Sequence, residues 1–96
     1  MINMDFPVNI AKVGQLADNF VAAAKELMAK TGAFSLQFDN NHNRFVAHLR
    51  EGDFSRLFKD SEINVERSTS PDYPVRKSIL LNGIEFFCVS DPIRYI

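Results

Sequence analysis

Tryptophan is absent from this chain, cysteine occurs once, and glycine and proline number four each in 96 residues. The single thiol, Cys88, cannot close an internal disulfide, which excludes a disulfide-stapled scaffold and suits a reducing compartment. So little glycine and proline excludes collagen-like and low-complexity chains. Charge of one sign is also lacking: eleven Lys and Arg face twelve Asp and Glu, a formal net charge of −1. Proteins that grip nucleic acid through its phosphates carry a basic excess, so this balance argues against such a partner. No apolar run approaches the roughly 20 residues that span a bilayer, and no basic-then-apolar leader pattern is present. The expected location is the cytoplasm, away from membranes.

What is present describes an ordinary globular domain. The chain is 46% hydrophobic and 24% charged, enough apolar content for one core and too short a length for two domains. Residues 1–96 are therefore read as a single domain. Ile10, Val13, Leu16 or Ala17, Phe20, Ala24 and Leu27 recur at steps of three and four, which predicts an amphipathic helix over about 9–31 with one buried stripe. Asn9 suits its N-cap, while Lys30 and Gly32 suit its C-terminal end. Gly14 is its weak point, costing about 1 kcal/mol relative to Ala.

From Ala33 the period changes to two. Phe34, Leu36 and Phe38 alternate with Ser35 and Gln37, and after the polar turn Asp39–Asn43 Phe45, Ala47 and Leu49 alternate with Val46, His48 and Arg50, predicting a hairpin. Asp53 is expected to cap a short helical turn through Phe58. Ile63, Val65 and Arg67 mark a further short strand. Two prolines make the stretch from Ser68 to Pro74 a loop. Asn82-Gly83 then joins Val75–Leu81 to Ile84–Val89, the strongest short-range hairpin signal. A two-residue turn pairs Leu81 with Ile84, Ile79 with Phe86 and Lys77 with Cys88 on the core face. The opposite face pairs Leu80 with Glu85, Ser78 with Phe87 and Arg76 with Val89. The expected fold is α+β: one N-terminal helix packed on a four- to five-stranded, mainly antiparallel sheet.

Catalytic and metal signatures are weak. Asp39-Asn40-Asn41-His42-Asn43 resembles the opening of a calcium loop, but the required Gly and Glu positions hold Arg44 and Arg50, so a hairpin turn is the better reading. His42 and His48 have no second His or Cys at ligand spacing. Cys88 alternates inward and reads as a small buried hydrophobe. No glycine-rich phosphate loop or paired-carboxylate site is evident, so no cofactor, metal or small-molecule substrate is expected, and the chain does not read as an enzyme.

Two surfaces remain as candidates. Leu80, Phe87 and Val89, joined by Val46, interrupt what should be a polar outer sheet face; one helix cannot cover both faces, so this stripe predicts binding to another protein or to a second copy of the chain. The C-terminal tail from Asp91 to Ile96 is apolar enough to lie on it instead. The alternative is nucleic-acid or nucleoprotein binding through Arg67, Tyr73, Arg76 and Lys77, the one basic-plus-aromatic cluster.

The stretch Asp72-Tyr73-Pro74-Val75 through Asn82-Gly83-Ile84-Glu85-Phe86-Phe87 resembles a pattern in small proteins of Gram-positive phages and prophages, in which an acidic-Tyr-Pro segment precedes a strand, a tight turn and a Gly-x-x-Phe-Phe strand. Val46-Ala47-His48-Leu49, with Phe54 and Leu57-Phe58, is also similar to them. The resemblance covers about half the chain. It implies a mobile-element accessory protein, from a group that includes inhibitors of host defence such as anti-CRISPR proteins, which work by occupying a partner's surface. It assigns no functional residue.

Overall fold

The computed structural model describes residues 9–69, 71–72 and 74–90. The chain runs α1 (Ile10–Thr31), β1 (Ser35–Asp39), β2 (Arg44–His48), α2 (Glu51–Leu57), β3 (Asn64–Arg67), β4 (Val75–Leu81) and β5 (Ile84–Ser90). The five strands form one sheet in the order β1-β2-β5-β4-β3. Every neighbouring pair is antiparallel except β2 with β5. The fold is thus α+β, with a long N-terminal helix, a second short helix and a mixed sheet.

Local chemistry explains most of the elements. Asn9 caps α1, its Oδ1 accepting from the Lys12 amide at 2.9 Å, and Gly32 ends the helix in the left-handed region at φ 81° while its amide donates to the Met28 carbonyl. Asp39 Oδ1 accepts from the Asn41 amide, and Asn43 takes a positive φ to close the β1–β2 turn. Asn82 and Gly83 both have positive φ, the mirror-image turn whose twist matches the flanking strands. The β4–β5 register follows the expected one at every pair, from Leu81 with Ile84 to Arg76 with Val89.

Asp53 does not cap α2. The helix begins earlier, with Arg50 in the N-cap position and no side-chain cap bond. Glu51, in its first turn, accepts instead from Ser90 Oγ at 2.9 Å and lies 3.6 Å from Lys77 Nζ, tying α2 to β4 and β5.

Both helices lie on one sheet face. Phe54 and Phe58 of α2 and Leu27 and Met28 of α1 pack on Ala47, Leu49, Phe86 and Cys88. Burying each of these large side chains contributes roughly 1.5–3 kcal/mol. The Phe58 ring lies 5.0 Å from Phe54 and 5.5 Å from Phe86. Burial raises the Cys88 thiol above its ordinary pKa, opposed in part by the nearby Lys77 charge.

The single buried stripe expected for α1 is only half realised. Leu27 and Met28 pack on the core and Phe20 meets Phe45 at 5.6 Å, but Ile10 is 84% and Leu16 55% exposed. Length is the reason: 22 residues make a helix of about 33 Å, whereas seven-residue strands reach only about 23 Å. The helix overhangs, and the molecule measures 58 × 27 × 22 Å. Phe38, expected in the core, is half exposed for the same lack of cover on β1, and Phe34, just before β1 and also expected in the core, is half exposed and lies against the His48 ring on the opposite face instead.

A Cβ placed on Gly32 would stand 2.7 Å from the Asp53 carboxylate, and the backbone there has positive φ. Gly32→Ala is expected to cost about 1–3 kcal/mol in chemical denaturation. Adding Asp53→Ala should recover the steric part and leave the backbone part, about 1 kcal/mol; no recovery would show that the contact is not the cause.

Candidate functional site

The sheet face away from the helices is an open trough of about 820 Å³. Strand alternation and the register decide what lines it. His48, Phe87, Ser78 and Asn64 stand in one row across β2, β5, β4 and β3, and Val46, Glu85 and Leu80 stand in the next. Leu80, Phe87 and Val89 therefore share this face with Val46, as their alternation requires. Leu80 is 54% exposed beside Glu85, whereas Phe87 and Val89 are half-buried.

Glu85 is the electrostatic centre of the trough. Arg76 Nη1 donates to its Oε2 at 2.9 Å, and Arg44 Nε lies 3.7 Å from its Oε1. Two guanidinium groups thus share one carboxylate, and the buried Arg44 Nε has no hydrogen-bond acceptor. Leaving such a donor unsatisfied costs about 1–3 kcal/mol. Nearby charges restore overall balance: Asp39 lies across β1–β2 from Arg44, and Glu66 across β3–β4 from Arg76.

A stack of flat groups runs along the floor. The Arg76 guanidinium sits 4.2 Å over the Phe87 ring, Phe87 stacks on His48 at 4.2 Å, His48 meets Phe34 at 4.4 Å, and Arg50 lies 5.4 Å over Phe34. Cation–ring contacts of this kind contribute about 0.5–2 kcal/mol each. They also hold Arg76 extended along the strand, so that its head reaches Glu85. Burial, and then the Arg76 charge, hold the His48 pKa below its ordinary value. At the rim, His42 Nδ1 lies 2.8 Å from Asp39 Oδ2, and this bond lowers the Asp39 pKa.

The three described members of the basic cluster, Arg67, Arg76 and Lys77, are not brought together. Arg67 pairs with Val75 and Lys77 with Val65 on the helix side of the sheet, while Arg76 lies in the trough. Arg76 is engaged by Glu85, and Lys77 lies close to Glu51. Tyr73 and the tail from Asp91 to Ile96 lie outside the described residues.

Sequence reasoning placed Glu85 on this face beside Leu80, as the register shows, but did not single out Arg44, His48 or Glu85 as parts of one site. Their alternation was visible; the adjacency of β2 to β5 was not. Among the described residues no cluster of His, Cys, Asp and Glu could hold a metal ion, and no helix is long and apolar enough to cross a membrane.

Comparison with known proteins gives no match: no family model, no curated protein and no solved structure is similar to the chain.

His48 makes stability pH-dependent. Its folded pKa is depressed, so the unfolded chain binds the proton more readily and stability falls on acidification through the ordinary histidine range. Between about pH 7.5 and about pH 5.5 the melting temperature should drop, and His48→Phe should flatten that slope. An equal slope in the variant would remove His48 as the cause.

Proposed function

We propose that this chain is a non-enzymatic protein-binding domain whose trough takes a segment of another protein. The observation that carries the reading is Leu80: a large apolar side chain half exposed in a concave sheet face, with both helices on the other side. Around it stand Phe87, Arg76 and Arg44, the aromatic and arginine types that dominate binding hot spots. Arg76 is held in place by Phe87 and Glu85, so little side-chain freedom is lost on binding. The resemblance to small phage proteins agrees with such a role, that of a mobile-element accessory protein acting in the cytoplasm by covering a partner's surface.

The nucleic-acid reading has less support. Its three described residues, Arg67, Arg76 and Lys77, do not converge, and the trough arginines are balanced by Glu85, Glu66 and Asp39. Short single- and double-stranded oligonucleotides are expected not to bind; binding that weakens steeply with salt would restore that reading.

Panning a random peptide library on the immobilised chain tests the proposal. Enriched peptides should shift the amide resonances of β2, β4 and β5, and Leu80→Glu should weaken their binding about tenfold or more. Peptides that bind the Leu80→Glu variant equally well, or that shift only residues outside the trough, would sink it.

A further inference from the structure

On the helix side, a second apolar surface has no partner within the described chain. Ile10, Val13, Ala17, Phe20, Ala24, Leu27 and Thr31 follow alternate steps of three and four along α1, the spacing of a seam between paired helices. The last turns spend this seam on the chain's own core through Leu27 and Met28. The first three turns do not: Ile10, Val13, Leu16, Phe20 and Val21 are each about half exposed or more. The patch continues onto the sheet. Phe20 meets Phe45, and Phe45 stands in register with Phe38 on one side and with Ile84 and then Leu81 on the other. Phe38 and Leu81 are again half exposed.

We infer that this surface is a homodimer interface, formed when the overhanging half of α1 packs against the same surface of a second copy. Three observations select a second copy. The first is area: at about 200 Å² for a fully exposed large side chain, the seven exposed residues present roughly 750 Å², close to the roughly 800 Å² per partner of a standard interface. The second is shape. At 22 residues α1 is about 33 Å long, against about 23 Å for the seven-residue strands, so α1 projects far enough for a copy to lie along it. Near the midpoint of the exposed segment stand Gly14, with open space where a Cβ would be, and Ala17. Small residues there let two helix backbones approach closely at a two-fold axis. The third is charge. The polar side of α1 mixes Lys12, Lys25 and Lys30 with Asp18 and Glu26, so two identical surfaces meet without a single-sign repulsion, as an isologous contact requires.

This inference uses none of Leu80, Phe87, Arg44, Arg76 or Glu85; the surface shares only Phe38, at the β1 edge, with the lining of the trough. The inference is tested on the full chain by light scattering after size exclusion, across a dilution series. The expected mass at high concentration is twice the 10.9 kDa of one chain. The double variant Val13→Ala, Leu16→Ala keeps or raises helix propensity, so α1 survives, which circular dichroism confirms; its dimer dissociation constant should rise about tenfold or more. A wild-type chain that stays monomeric at about 100 μM, well above the micromolar range of weak specific pairs, would overturn the inference. So would a dimer whose dissociation constant the double variant leaves unchanged.

Discussion

Everything in this molecule hangs on the parallel pairing of β2 with β5. Hydrogen bonds from the Phe45 amide to the Gly83 carbonyl and from the Leu49 amide to the Phe87 carbonyl bracket it. Without it the sheet falls into a two-stranded hairpin, β1-β2, marginal on its own, and a three-stranded piece, β5-β4-β3, that lacks the Ala47 and Leu49 side of the core. With it, Ala47 comes beside Phe86 on the helix side and His48 beside Phe87 on the other. One ladder therefore assembles both the core and the trough. It also closes a long loop, since β3 and β4 intervene in sequence, so its entropy cost is met only by the apolar surface that α2 then covers.

The two hairpins were legible in the sequence because their causes are local. Asn82-Gly83 takes positive φ readily, and alternation of Ile79, Leu81, Ile84 and Phe86 assigns the faces. The long helix was legible from its period and from Asn9 and Gly32. What could not be read was which strands become neighbours, because Val46 and Glu85 carry no local mark of their adjacency. The basic cluster around the proline loop illustrates this: nearness in sequence placed Arg76 and Lys77 together, whereas strand alternation sends them to opposite faces. The exposure of Ile10 to Val21 had an available signal that periodicity alone overlooks, namely a helix longer than any strand it could lie on. Asp53 shows the remaining limit, since an acidic residue in a first helical turn looks the same in sequence as one at the cap.

The trough's polar centre has a physical logic of its own. The Glu85 carboxylate stands between two guanidinium groups, with a direct hydrogen bond to Arg76 and a looser contact to Arg44, so its partial burial is offset mainly by Arg76. The stack below it confines Arg76, and burial together with the Arg76 charge holds the His48 pKa below its ordinary value. The face is thus stiff and nearly balanced in charge, properties that favour shape-specific contact with a peptide segment over non-specific attraction to a polyanion.

The placement of the two surfaces on opposite sides of one sheet has a consequence for affinity. A pair formed through α1 leaves both troughs open and fixes their separation by rigid elements rather than by a linker. A partner that presents its segment twice, as any symmetric oligomer does, would then meet two sites at once. The second contact becomes intramolecular and raises avidity by roughly 10²–10⁴ over one trough without any new contact, provided the spacing fits. A small domain with one shallow site gains more from this doubling than from enlarging the site, because each added contact would have to order further residues at about 0.5–1.5 kcal/mol per side chain. In such a pair the overhang of α1 would raise the avidity of a weak site without enlarging it.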